Sequence, residues 1–356
     1  MAIEWLAGNR LRGTTAERPS GSLQSPSVGG WVELGRTTLG SDGDSIDVTG
    51  LADKRYLMAL INVPTTGNAR PRTRFNADTG NNYSDRWSQI GGGDNTSGSQ
   101  SFIYNEVTST TDDTFAVCYA SNLSNKEKLT ICHGVSAKSA GASQEPFRSE
   151  VVGKWANTSD AISQWNLTND LAGSYTSGSE VVVLGWDPAD THTTNFWEEL
   201  GSTDWTSGDN IDVTFTGSEK KYLWFQGWCT GTGAFRSNIR VGDGSIATSG
   251  YSYRRWHGST GSEETFTSTN RIGATSGNFD TIDFWNGFII NNSGNEKQMI
   301  AHVVRGGTAG AANAPERTEI VGKYAYTSGQ LDRIRLFNDT GGLDLNAGTL
   351  KVWGAD

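Results

Sequence analysis

A chain of 356 residues is long enough for two domains of ordinary size, each able to bury a core without metals or disulfides. Its 45 Gly, 7 Pro and abundant Ser, Thr and Asn weigh against long helices and for short strands joined by turns, while 13 Trp, 13 Phe and 10 Tyr weigh against disorder. A formal net charge of −10 without a basic tract excludes a sequence-independent grip on nucleic acid. No run of about 18 apolar residues offers a membrane-spanning helix.

At the N-terminus, Met1-Ala2-Ile3-Glu4-Trp5-Leu6 lacks the basic segment and apolar run of a secretion signal, which predicts synthesis in the cytoplasm without a signal peptide. Residues 1–30 stand apart from the rest as an extended arm ending in Ser20-Gly21-Ser22-Leu23-Gln24-Ser25-Pro26-Ser27-Val28-Gly29-Gly30, a flexible-linker composition. Trp5, Leu6 and Arg10 are the arm's candidate assembly contacts, able to order on a neighbouring subunit.

Beyond the arm the chain is duplicated. Trp31-Val32-Glu33-Leu34-Gly35 returns as Trp197-Glu198-Glu199-Leu200-Gly201, 166 positions on (199 less 33). Gly43-Asp44-Ser45-Ile46-Asp47-Val48 returns as Gly208-Asp209-Asn210-Ile211-Asp212-Val213, and Lys54-Arg55-Tyr56-Leu57 as Lys220-Lys221-Tyr222-Leu223. Later Glu127-Lys128 and His133 answer Glu296-Lys297 and His302, and Glu150-Val151-Val152-Gly153-Lys154-Trp155 answers Glu319-Ile320-Val321-Gly322-Lys323-Tyr324. The offset there is 169 (319 less 150), which places an insertion in a loop around Tyr83 to Trp87 and Tyr251 to Trp256. The organisation expected is an arm (1–30), a first repeat (31–187), a linker (188–195) and a second repeat (196–354).

Alternation within the repeats identifies strands. Leu129, Ile131, His133 and Val135 read as an inward face, matched by Ile300, His302 and Val304. Trp165 and Leu167 correspond to Ile334 and Leu336, Val181 and Val183 to Leu350 and Val352, and Phe115 and Tyr119 to Phe284 and Phe288. Short strands broken by Gly, Asn, Asp and Ser turns predict an all-β protein of two tandem jelly-roll-like antiparallel β-sandwich domains.

Candidate chemistry is sparse. His133 and His302 each stand alone on an apolar face and read as hydrogen-bonded core residues, without a metal-ligand companion at spacing. Glu150 and Glu319 beside Arg148 and Arg317 read as structural ion pairs, so the chain reads as non-enzymatic. Calcium could be held by Asp42, Asp44 and Asp47 or by Asn76, Asp78 and Asn81, although solvated turns are the simpler reading; no other cofactor is indicated. Cys118, Cys132 and Cys229, odd in number, read as small buried hydrophobes. Arg86, Trp87, Arg255 and Trp256 are candidate glycan contacts, against the alternative that both tryptophans cap the core. Additional tryptophans at 205, 224, 228 and 285 make the second repeat the better candidate for a contact surface.

The chain resembles a group of virion-associated proteins of tailed phages and environmental viruses with tandem jelly-roll repeats. The resemblance rests on Ile3-Glu4-Trp5-Leu6-Ala7-Gly8-Asn9-Arg10, Glu33-Leu34-Gly35, Arg74-Phe75-Asn76 with Asp78-Thr79-Gly80-Asn81-Asn82-Tyr83, and Glu150 to Trp155. In the second repeat Arg240-Val241-Gly242 departs from the middle motif. The resemblance implies a fibre, spike or decoration protein on the virion surface that forms homo-oligomers, touches other virion proteins through its arm, and contacts cell-surface carbohydrate without nucleic acid or membrane insertion. A tandem carbohydrate-binding module is the alternative, and a glycosidase a more distant one.

Overall fold

The computed structural model describes residues 5–6, 10–11, 30–105, 112–188, 190, 195–231, 235–257, 261–274, 282–306, 311–312, 314–341 and 344–356. The described residues contain strands and no α-helix, as the composition requires. In the arm, Trp5–Leu6 pairs antiparallel with Arg10–Leu11. The side chains of Trp5, Leu6 and Arg10, the expected assembly contacts, lie outside the described part.

Each repeat forms an unequal sandwich, and every sheet beyond the arm draws its strands from one repeat alone. In the first, an eight-stranded sheet runs in the order Val32–Thr38, Glu180–Trp186, Tyr56–Val63, Thr114–Ser121, Lys128–Ser136, Phe147–Trp155, Tyr83–Gln89, Asn95–Gln100. Facing it are Ile103–Tyr104, Arg72–Phe75, Gln164–Thr168 and Ser45–Thr49. The second repeat reproduces the large sheet with Glu198–Asp204, Leu345–Ala355, Tyr222–Gly231, Ile282–Ile290, Lys297–Arg305, Glu316–Tyr324, Tyr251–His257 and Ser262–Thr269. Its small sheet is built on Asn210–Thr214, Arg333–Asn338 and Ser237–Asp243.

The repeated residues define equivalent cores. Ile46, Val48, Phe75, Trp165, Leu167, Val181 and Val183 fill the first sandwich. Ile211, Val213, Val241, Ile334, Leu336, Leu350 and Val352 fill the second. The repeated glycine of the Val-Val-Gly-Lys block has a steric cause: a side chain at Gly153 would strike Ile103 at 2.6 Å, and one at Gly322 would strike Ile272 at 2.6 Å. The repeated lysines are clamps, Lys128 Nζ donating to the carbonyls of Lys126 and Asn157 and Lys297 Nζ to those of Asn295 and Tyr326.

A third core joins the repeats. The two large sheets stack through the faces turned away from their own sandwiches, burying Met58, Leu60, Phe115, Val117, Val135, Val182 and Leu184 against Trp197, Tyr222, Phe288, Ile290, Ile300, Val321 and Trp353. The layers therefore run small sheet, large sheet, large sheet, small sheet. This reverses one expectation. The Leu129, Ile131, His133, Val135 face points out of its own sandwich, because Thr130 and Cys132 occupy the inward positions of that strand. Both faces of a large sheet are apolar, so alternation marks the strand without saying which side is inside.

Two further expectations change. Cys118 and Cys132 face each other across adjacent strands and form a disulfide, leaving Cys229 as the buried free thiol. Tyr83–Gln89 and Tyr251–His257 are strands, not the loop expected to host the insertion. The offset is already 168 at their first residues (251 less 83), so the extra residues lie in the turns that flank them.

Candidate functional site

The most chemically loaded part of the described structure is the seam between the large sheets. Strand pairing sets His133 opposite Glu150 and His302 opposite Glu319. Stacking of the sheets then brings the two histidine rings edge to face, with centroids 4.4 Å apart. Arg148 Nη1 donates to Glu150 Oε1 at 2.7 Å and, across the seam, to Glu319 Oε2 at 2.9 Å. A second buried arginine, Arg254, donates to Glu145 Oε1 at 2.9 Å and to the carbonyl of Pro146, and sits 3.0 Å from Glu263.

At the other side of the seam, Tyr222 Oη and Lys221 Nζ each donate to Glu180 Oε1 at 2.8 Å. Gln298 Nε2 donates to the carbonyl of Asp113 at 2.6 Å, and Lys323 Nζ donates to the carbonyls of Ala137 and Ser139. The contact is thus an apolar centre flanked by ion pairs and hydrogen bonds.

Burial dominates the titration of the seam. It pushes His133 down to about 3, reinforced by the facing His302 and by Arg148, and it lowers His302 as well. Burial raises Glu319 to about 7, reinforced by its hydrogen bond and charge coupling to Glu150, while Arg148 and Arg317 pull the other way without prevailing. Near neutrality the imidazoles are uncharged, and the Glu319 carboxyl is close to the midpoint of its titration.

The expectation that each histidine stands without a companion fails here. His133, Glu150 and His302 offer one ligand atom each within 4.8 Å of one another, a donor set of the kind zinc accepts. His133 Nδ1 is buried and has no hydrogen-bond partner, whereas Glu150 is already held by Arg148, which competes with a cation for the carboxylate. Sequence held a usable signal: in both copies His and Glu are 17 residues apart (150 less 133, 319 less 302), the spacing of cross-strand partners in this hairpin.

The glycan candidates scatter. Arg86 is exposed, 3.3 Å from Asp94, while Trp87 is half-buried against Tyr104. Together with Ser88, Asp94, His133 and Glu150 they line a cleft of about 250 Å³. Pairing makes Arg254 and Arg255 the equivalents of Arg86 and Trp87. Arg255 is buried and spends its guanidinium on Glu264 and the carbonyl of Gly273, so it braces the fold and is not presented to a ligand. Trp256 is half-buried under the Arg317 guanidinium, 4.6 Å from its ring centroid. Of the additional tryptophans, Trp285 is core, Trp205 packs beside it, Trp224 lies in the seam and Trp228 is exposed.

The calcium candidates hold turns together. Asp78 accepts from the amide of Gly80, from Asn82 and from Trp155 Nε1. Asn76, at φ 52°, accepts from the amides of Ser163 and Gln164. Asp47 accepts from Asn166, and Asp42 from the amide of Ser177.

Two clefts open on the bare part of the first repeat's large sheet, sharing Leu129 and Ile131. One of about 340 Å³ is lined by Trp31, Tyr56, Tyr119 and Trp186, and one of about 710 Å³ by Arg86, Ser97, Val152 and Lys154. Sequence reasoning missed this surface because it assigned Leu129 and Ile131 to the core.

No family model matches the chain, and no curated protein does. Among solved structures, similarity extends to the mouse laminin alpha1 chain, domains LG4-5, at 10% identity over 92% of this chain and 89% of that one, with a TM-score of 0.21. It extends also to Acinetobacter baumannii OccAB4, at 12% identity over 85% of this chain and 98% of that one, with a TM-score of 0.12. Likenesses this slight carry no argument about role.

Proposed function

We propose that this chain is a non-catalytic structural protein that self-assembles on the surface of a virus particle. The observation that carries the assembly part is the bare apolar surface on both large sheets: Tyr56, Leu129, Ile131 and Val152 in the first repeat, and Trp228, Ile282, Phe284 and Val304 in the second. Contiguous apolar surface of this kind on a folded protein marks a contact site. The virion location rests on the resemblance of the sequence blocks. Purified full-length chain is expected to sediment as multimers at micromolar concentration, and antibodies against it to label intact particles in electron micrographs. A chain that stays monomeric throughout and is recovered only in the particle-free fraction overturns the reading.

A second reading, carbohydrate binding, is favoured by the cleft beside Arg86 and Trp87, where an aromatic ring, a cation and carboxylates converge. It requires glycan-array binding that Trp87→Ala removes; an array without signal ends it.

A further inference from the structure

The two repeats are equivalent, yet they put different parts of their shared surface into the seam. The second repeat uses Tyr222, Phe288, Ile300 and Val321, with Trp197 beside them. In the first repeat the equivalents of that set are Tyr56, Ile131 and Val152, which are exposed, and Tyr119 and Trp31, which pack only in part against the seam core. They line the open clefts. Conversely the first repeat uses Phe115 and Val135, and their equivalents Phe284 and Val304 are exposed. The contrast is sharp: Ile300 is 4% exposed and Ile131 51%; Val135 is 0% exposed and Val304 45%.

The contact between the repeats is therefore heterologous, one end of the shared surface against the other end. Each chain is left with one unused end of each kind. A heterologous contact that repeats generates a ring if its rotation closes and a filament if it does not. We propose that the free end of the second repeat, at Phe284, Val304 and Ile282, docks on the free end of the first repeat of another copy, at Tyr56, Ile131, Leu129 and Val152. This deepens the assembly reading and rests on it.

At the outer positions the chemistry of the two free ends fits such a pairing, while His133 and His302, and Leu184 and Trp353, are equivalent positions that the seam already covers on both repeats. In the seam Tyr222 packs on Phe115, with ring centroids 6.4 Å apart; the free ends supply Tyr56 and Phe284. In the seam Gln298 donates to the main-chain carbonyl of Asp113, whose carboxylate accepts from Asn295. At the free ends both positions become apolar, as Ile282 and Leu129, so each change is matched by its opposite number. Arg148 crosses the seam to Glu319 and lies 3.9 Å from Glu263. Its equivalent Arg317 is exposed, and Glu150 and Asp94 stand where Glu319 and Glu263 stand in the seam. Val117 and Leu60 give way to Asn286 and Gln226, so the contact between copies is less apolar than the seam, while Trp228 and Ile282 restore part of that area.

The test is complementation between two full-length variants, Ile131→Asp and Val304→Asp, both at exposed positions. Sedimentation velocity is expected to show wild-type multimers, each variant alone associating at least tenfold more weakly, and an equimolar mixture forming 1:1 dimers that grow no further. That mixture result follows only if end meets opposite end. If either variant alone still multimerises like wild type, the head-to-tail contact is overturned while self-assembly stands. If wild-type multimers survive both substitutions but vanish on removal of residues 1–29, the arm is the occupant and the proposal falls. If wild type never associates, self-assembly itself falls, and this contact with it.

Discussion

Val135 and Val304 hold the same position on the same strand of two equivalent sandwiches, yet one is sealed in the seam and the other faces solvent; Ile300 and Ile131 show the same contrast. What a side chain contributes is thus set by what covers it. The seam makes the duplicated chain an internal control, because each substitution can be made once under cover and once in the open.

The largest expected difference is between the arginines. Arg148→Ala leaves Glu319 in the seam without its cross-sheet partner and is expected to cost about 3–5 kcal/mol in urea unfolding, the usual penalty for stranding a buried charge. Arg317→Ala, at an exposed site, is expected to change stability by less than about 0.5 kcal/mol. Equal effects would show that the seam is open in solution.

Next come the isoleucines. Ile300→Ala is expected to cost about 2–5 kcal/mol and Ile131→Ala under about 0.5 kcal/mol, measured on dilute protein so that contact between copies does not contribute. Truncations of equal cost would remove the distinction between covered and open ends.

The smallest effect expected is one of pH. Glu319 titrates near 7 in the fold, above the ordinary carboxylate value, so its contribution is present at acid pH and fades as pH rises through 7. The histidines act oppositely: held below their ordinary value, they add stability above about pH 6.5 that is lost as pH falls toward the value near 3 of His133. Glu319→Gln is expected to abolish the fall in Tm between about pH 5 and 8 and leave the acid limb intact. An unchanged alkaline fall would place the responsible carboxyl elsewhere.

Much of the fold was legible because duplication let each pattern be read twice. The cores around Trp165 and Leu167 or Ile334 and Leu336 follow from alternation preserved through changes of residue size. The pairing of His133 with Glu150 was legible in principle from hairpin spacing, but not the meeting of His133 with His302, which are 169 residues apart (302 less 133). Arg255 could not be told from its exposed-looking neighbours, since strand register alone turns it inward.

By itself the sequence determined two copies of one all-β unit and the strands within them, because local alternation and turn residues act over a few positions. Tertiary structure alone decided that the large sheets stack back to back, that Cys118 meets Cys132, and that one end of each repeat's apolar face stays bare. The reason is physical: a strand apolar on both faces satisfies either direction of burial, and the choice falls to whichever distant surface comes to rest against it.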